Sequence, residues 1–134
     1  MEPNDQEKRL RAALETPRPA KDINYWVNCV GEGWRPLVRG LDANLRDIDS
    51  NYVIEQVKEK FGGLRFYVNS PPEDEDSFAD FYKLIQDAEE LSFRICETCG
   101  TAGKGCKPNK YSIRTLCPLC YRRFATKHAS EDDD

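Results

Sequence analysis

Four of the six cysteines in this 134-residue chain form two C-x-x-C pairs near its C-terminal end. The pairs are Cys96 with Cys99 and Cys117 with Cys120, and the full pattern is C-x2-C-x17-C-x2-C. This spacing falls within the range of tetrathiolate zinc sites. Two intervening residues let one tight turn direct two sulfurs toward an ion about 2.3 Å away. The pattern therefore predicts a Zn²⁺ site on these four cysteines, with the metal holding the last third of the chain in shape.

The residues around the two pairs indicate the type of finger. Gly100 follows the first pair, at a position that often needs a positive φ. Pro118 and the residues after it favour a helix with Cys120 in its first turn, where the helix dipole favours a thiolate. A knuckle, a hairpin and such a helix make a treble-clef finger. A zinc ribbon is the alternative, although Tyr121 stands where a ribbon would have a second knuckle glycine.

Other uses of the cysteines are two disulfides, a C-x-x-C redox centre or an iron–sulfur cluster. The N-terminus "MEPNDQEKRL" has no signal-peptide core, and no apolar run is long enough to span a membrane. A cytoplasmic setting without membrane contact is expected, where thiols stay reduced and metal binding is favoured. Cys106 and His128 lack the spacing of paired ligands and are expected outside the ligand set. Cys29 is expected to be a small buried hydrophobe.

The chain as a whole is predicted to be α+β, with helices packed on a small antiparallel hairpin and a four-cysteine finger after them. An amphipathic helix is expected from Trp34 to Ile48, and a second helix is expected to cover the hairpin. The predicted units are an N-terminal helix (over 5–15) and linker in residues 1–32, a core in 33–93, the finger in 94–128 and a disordered acidic tail in 129–134.

The stretch "VIEQVKEKFGGLRFYV", residues 53–68, predicts that hairpin. A loop at Gly62–Gly63 would pair Phe61 with Leu64 on the face toward the core. The opposite face, called the outer face below, would carry Lys58, Lys60, Arg65 and Tyr67. Like charges across a strand pair are unfavourable. The cations either extend into water, are offset by Glu55 or Glu59, or meet an anionic partner.

The net charge of −4 is unevenly distributed along the chain. Residues 70–93 hold eight acidic and one basic side chain, a net −7, whereas residues 94–128 hold eight basic and one acidic, a net +7. Basic residues with interleaved aromatics suit contact with DNA or RNA. Part of this charge balances the metal, because Zn²⁺ with four thiolates carries −2. The candidate contact residues of the finger are Lys110, Arg114, Arg122 and Arg123.

The segments "GWRPLVRGLDANL", "VIEQVKEKFGGLRFYV", "AEELSFRICETCG" and "TLCPLC", in this order, resemble a family of small proteins of phages and bacterial genomes. The resemblance covers roughly residues 33–121. It implies a phage or prophage setting and a metal finger on the four paired cysteines, and it implies no particular activity. Cys106 and Tyr121 depart from the family pattern.

These features together predict a non-enzymatic, zinc-binding accessory protein that binds a host or phage macromolecule as a regulator or inhibitor, with a protein as the favoured partner. Direct binding of nucleic acid through the finger and the outer face is the alternative. An enzyme or an immunity-type factor is the remote third hypothesis. Catalysis has no support, because no G-x-S-x-G, H-E-x-x-H or phosphate-loop motif is present.

Overall fold

The computed structural model describes residues 4–8, 21–69, 71–103, 105–108 and 114–132, and within them the chain is α+β as predicted. The helices are α1 (Ile23–Val27), α2 (Arg35–Ile48), α3 (Glu75–Ser92) and α4 (Pro118–Asp132), with a short 3₁₀ helix at Glu32–Trp34. The strands are β1 (Val53–Lys60), β2 (Gly63–Asn69), β3 (Lys107–Pro108) and β4 (Thr115–Leu116). Of the helix predicted over 5–15, residues 5–8 are helical, and the remainder lies outside the described residues.

Helix α2 turns one apolar stripe toward the core, as its 3.6-residue spacing predicts. Val38, Leu41 and Leu45 on that stripe are buried. Pro36 lies in the first turn, where its missing N–H has no helical partner to lose. Trp34, immediately before the helix, is fully buried at the start of the same stripe.

Strands β1 and β2 form the expected antiparallel hairpin, but its turn lies one residue earlier than predicted. Lys60 pairs with Gly63, so the two loop residues are Phe61 and Gly62. Their φ angles are 53° and 87°, and two positive φ angles define a type I′ turn. Gly63 belongs to β2, where an added Cβ would lie 2.4 Å from the ring of Phe93. The predicted loop was therefore wrong, because the second glycine pairs within β2 and is not part of the turn.

The corrected register changes the cross-strand partners but keeps the outer face together. Lys58 lies opposite Arg65, and Tyr67 lies opposite Gln56. Lys60 shares their face because it is two residues beyond Lys58 on the same strand. All four predicted outer-face residues therefore lie on one side of the hairpin.

Helix α3 packs along the free edge of β2 and supplies it with hydrogen-bond acceptors. The Leu64 N–H donates to the Ser92 hydroxyl oxygen at 2.9 Å, and the Phe66 N–H donates to a Glu89 carboxylate oxygen at 3.1 Å. These side chains occupy donors that a third strand would otherwise pair. The helix thus both covers the core face of the hairpin and closes its edge, as a two-stranded sheet requires for stability.

The hydrophobic core lies between α2, α3 and the hairpin. Its largest fully buried side chains include Trp34, Leu45, Leu64 and Phe81. Beside them the Tyr52 hydroxyl donates to the buried carboxylate of Asp42. The Arg46 side chain contacts the same carboxylate at 3.1 Å. Asp42 tolerates burial because both a hydroxyl and a guanidinium satisfy it.

The chain after α3 has the order of a treble-clef finger. A turn carries the first cysteine pair, β3 and β4 form an antiparallel pair, and α4 carries Cys120 in its first turn. Of the two predicted finger types, this order is that of the treble clef and not that of the zinc ribbon. Helix α4 continues to Asp132, into the segment predicted as a disordered tail, since no glycine or proline interrupts it after Pro118. Within the described ranges, no helix is both long and apolar enough to cross a membrane.

Candidate metal centre

The first cysteine pair lies on a tight turn, residues 96–100, called the first knuckle below. The Gly100 N–H donates to the Cys96 carbonyl at 2.9 Å and closes the turn. Gly100 has a φ of +84°, which confirms the conformation expected for it and explains why glycine suits this position. Cys96 is fully buried, whereas Cys99 is exposed. The turn thus presents one sulfur from inside the finger and one from its surface.

The second pair lies where β4 passes into α4. Pro118 is the first residue of the helix, and Cys120 follows within the first turn. The Cys120 N–H points at the Cys117 sulfur at 3.5 Å, and the Tyr121 N–H donates to the Cys117 carbonyl at 2.8 Å. Backbone donors directed at a sulfur stabilise the thiolate form that a metal needs.

The four sulfurs converge on one point. The Sγ atoms of Cys96, Cys99, Cys117 and Cys120 all lie within 4.8 Å of one another. The Cys99 and Cys117 sulfurs are 3.6 Å apart, too far for a disulfide bond. A tetrahedral ion with Zn–S bonds of about 2.3 Å would separate its sulfurs by about 3.8 Å. The donor set and its spacing therefore fit a single zinc ion, and the four-cysteine cluster is a candidate zinc site.

The pKa values of two of these thiols are shifted in opposite directions in the folded chain. Hydrogen bonding with the Thr101 side chain, whose oxygen lies 3.1 Å from the Cys99 sulfur, and then with the Thr101 backbone lowers the pKa of Cys99 to about 6. Burial, followed by hydrogen bonding with Cys117, raises the pKa of Cys120. The exposed sulfur therefore carries a thiolate near neutral pH, while the buried one needs the cation to lose its proton.

The first knuckle is fastened to the core through the segment before α2. The Gly33 N–H donates to the Glu97 carbonyl at 2.8 Å, and the Gly31 N–H donates to a Glu97 carboxylate oxygen at 3.1 Å. The Trp34 indole N–H donates to the Ile95 carbonyl at 2.8 Å. Nothing in the sequence analysis predicted this contact. Its signal was the pair of glycines flanking Glu32 ahead of a large aromatic.

The two glycines of that segment are required because the backbone of the first knuckle lies very close to them. An added Cβ at Gly33 would lie 2.0 Å from the Cys96 carbonyl oxygen, and one at Gly31 would lie 2.4 Å from the Glu97 carbonyl oxygen. Both distances are far below contact between real atoms, so the backbone of the knuckle rests directly on this segment. The candidate zinc site is therefore part of the same packed structure as the core.

A second contact joins the finger to the turn of the hairpin. The hydroxyl of Thr115, which is fully buried, donates to the Gly62 carbonyl at 2.7 Å. The Thr115 carbonyl also accepts the Glu97 N–H at 2.9 Å. One residue thus connects the hairpin turn with the first knuckle, and nothing in the spacing of the sequence indicated this role.

The remaining cysteines lie outside the four-sulfur set. Cys106 is buried beside the cluster, and its thiol donates to the Thr101 carbonyl at 3.1 Å. Burial raises the pKa of Cys106, which keeps it a neutral thiol. Cys29 is exposed, and its thiol points at the Tyr25 carbonyl, so the expectation of a buried hydrophobe was wrong. It follows α1 at the surface, where the helix has already ended. The side chain of His128 lies outside the described part of the structure.

The outer face holds its cations close to aromatic rings. The Lys58 ammonium lies 5.9 Å from the centre of the Tyr67 ring, and the Lys60 ammonium lies 5.8 Å from that of Phe61. Within the described ranges, neither lysine nor Arg65 forms an ion pair. The offset by Glu55 or Glu59 that the sequence left open is therefore not an ion pair here. The outer face presents three positive charges with aromatic surface between them.

The basic residues of the finger are distributed differently. Arg114 and Arg123 line one surface cavity of about 250 Å³, together with Leu116 and Phe124. Arg122 is exposed on α4. Lys110 lies outside the described residues. The structure thus brings two of the four predicted contact residues of the finger to one place.

No protein-family model, curated protein or solved structure matches this chain.

Proposed function

We propose that this chain is a non-enzymatic zinc-binding accessory protein that docks a host or phage macromolecule through the outer face of its hairpin. The observation that carries the proposal is the group of Lys58, Lys60 and Arg65 on one face, without ion pairs in the described structure. Lys58 and Arg65 are directly opposed, and such like-charged pairs weaken a hairpin. An anionic partner would convert this unfavourable arrangement into complementarity.

The metal has a structural role in this proposal. Four protein sulfurs fill the coordination positions of a tetrahedral ion, so no position is left for water or substrate. The finger in turn holds the hairpin turn through the Thr115 hydroxyl. Zinc would therefore keep the outer face in the orientation in which it meets its partner.

The proposed setting comes from the sequence. The resemblance of "VKEKFGGLRFYV" and the cysteine finger to proteins of phages and bacterial genomes supports a phage or prophage origin. A reducing bacterial cytoplasm would keep all six thiols reduced, and so leave the four paired ones available for metal binding. A small regulator or inhibitor of a host or phage protein fits these conditions.

Affinity capture with a charge-reversed variant tests the docking face. The zinc-loaded protein and its Lys58→Glu/Arg65→Glu variant are used as baits in bacterial extract, and captured species are quantified by mass spectrometry. Arg39→Glu/Lys21→Glu is the control, since it makes the same charge change at exposed positions on α2 and just before α1. We expect a partner retained by wild type and control but lost by the first variant. Equal capture by all three proteins would contradict the proposal.

Nucleic-acid binding is the second candidate function, and one cavity favours it. Arg114, Arg123 and Phe124 line the same 250 Å³ cavity, which combines cations for phosphate with an aromatic ring for stacking. Binding of a 20-nucleotide single strand of DNA or RNA is measured at increasing salt. A steep loss of affinity with salt, reduced by Arg123→Ala, supports this candidate. No binding at low salt removes it.

A further inference from the structure

Phe61, the first loop residue at the tip of the hairpin, is unusual in both its backbone conformation and its exposure. Its φ is +53°, and it is the one residue other than glycine with a positive φ in the described structure. A bulky side chain in this region is a true outlier, because its Cβ crowds the following carbonyl. The residue is also 65% exposed, the highest exposure among the large hydrophobic residues described.

The fold does not require phenylalanine at this position. The first loop residue of a type I′ turn is best filled by asparagine, aspartate or glycine. The structural requirements of the turn are met by its neighbours: Gly62 takes the second positive φ and accepts the Thr115 hydroxyl, and Gly63 makes room for Phe93. Phe61 therefore combines an unfavourable backbone with an unfavourable exposure, and strain of this kind is concentrated at functional sites.

We infer that Phe61 is the anchor of the docking surface and inserts into an apolar pocket of a partner protein whose rim carries carboxylates. The inference rests on the proposed function and names the residue and the kind of partner surface that function needs. An aromatic side chain at the centre of an interface, surrounded by polar contacts that exclude water, is the usual form of a binding hot spot.

The surroundings of Phe61 supply the charged ring. Lys60 precedes it and places its ammonium 5.8 Å from the centre of the ring. Lys58 and Arg65 continue the positive charge along the outer face. The aromatic tip is therefore bordered by Lys60, and the cations of the outer face continue from it along the hairpin.

The acidic groups around this surface favour a protein over a nucleic acid. Glu55 lines the groove next to Lys58 and Tyr67, and Asp87, Glu89 and Glu90 line the cavity that contains Arg65. A phosphate backbone carries charge along its whole length and would run into these carboxylates on either side. A folded partner needs carboxylates only around the pocket that receives Phe61, so it matches the limited cationic area.

Site-specific photocrosslinking tests the contact directly. The full zinc-loaded chain carries p-benzoylphenylalanine in place of Phe61 and, as a control, in place of Phe78, an exposed aromatic on α3. After irradiation in bacterial extract, we expect adducts from position 61 on one protein, attached at apolar residues with aspartate or glutamate beside them. Adducts to nucleic acid, equal yields from position 78, or attachment at a surface without carboxylates would overturn the inference.

The variant Phe61→Asn separates folding from binding. Asparagine tolerates the left-handed conformation, so the melting temperature of the zinc-loaded protein should stay the same or rise. Affinity for the crosslinked protein should fall by about 30-fold or more, as expected for loss of a hot spot. If Lys58→Glu/Arg65→Glu abolishes binding while Phe61→Asn leaves the Kd unchanged, the anchor is refuted and the proposed docking face stands. If neither variant changes the Kd, the proposed function fails as well.

Discussion

Replacing Thr115 with valine removes one hydroxyl group and keeps the shape of the side chain. That hydroxyl donates to the Gly62 carbonyl at 2.7 Å, and both residues are buried. Valine leaves the carbonyl without a donor in a place that water does not reach. An unsatisfied buried acceptor costs about 1–3 kcal/mol. For a chain of this size 1 kcal/mol shifts the melting temperature by about 4 °C, so Thr115→Val should melt about 4–12 °C lower.

The assay is thermal unfolding of the zinc-loaded protein, combined with amide hydrogen exchange at residues 61–63. Thr115→Ser is the matched control, because it keeps the hydroxyl and loses one methyl group, worth about 0.8 kcal/mol. We expect faster exchange at the hairpin turn in the valine variant and near-normal exchange in the serine variant. Equal exchange and equal melting temperatures for valine and wild type would refute the idea that the finger holds the hairpin turn.

Three further predictions test other contacts. Gly33→Ala should weaken zinc affinity in competition with a chelator, because the added Cβ collides with the first knuckle. Gly40→Ala is the control, since its Cβ meets open space: it should leave zinc affinity unchanged and stabilise α2 by up to about 1 kcal/mol. Burial, and then the Asp42 carboxylate, raise the pKa of Tyr52 in the folded chain, so wild-type stability is full below about pH 10 and falls as the pH rises above it. Tyr52→Phe should therefore lower the free energy of unfolding at pH 8 by about 1–3 kcal/mol. Between about pH 9 and 11, denaturant titrations should show a smaller further fall in the free energy of unfolding for this variant than for the wild type. Cys106→Ser should still bind one zinc ion per chain by elemental analysis, since its sulfur lies outside the ligand set, and a loss of metal in that variant would overturn this assignment.

The spacing of residues in the sequence predicted the parts of the structure that local rules determine. Two C-x-x-C pairs predicted four converging sulfurs because each pair is shaped locally, the first by a tight turn and the second by the first turn of α4. The apolar stripe of α2 followed from a period of 3.6 residues, and the treble-clef order followed from Pro118 ahead of a helical segment.

The hairpin register was not predictable in this way because tertiary packing decided it. Local rules favour two glycines in a two-residue loop, but Gly63 lies inside β2 opposite Lys60, with the ring of Phe93 packed against it. The loop therefore moved to Phe61 and Gly62. As a result the sequence placed Phe61 in the core, whereas the structure exposes it at the tip.

The packing of the finger against the core could not be predicted from the sequence either. Gly31 and Gly33 approach the first knuckle across more than sixty residues of chain, and Thr115 reaches Gly62 across 53. Contacts between residues so distant in sequence leave no periodicity and no motif. Only their geometry shows that the candidate zinc site and the outer face belong to one packed unit.

Metal analysis of the purified, reduced protein tests the central claim most directly. We expect one zinc ion per chain, lost together with the folded state when a chelator is added, and lost in Cys99→Ser/Cys117→Ser but retained in Cys29→Ser. A wild-type protein that stays fully folded without bound metal would contradict the structural role of the four-cysteine site.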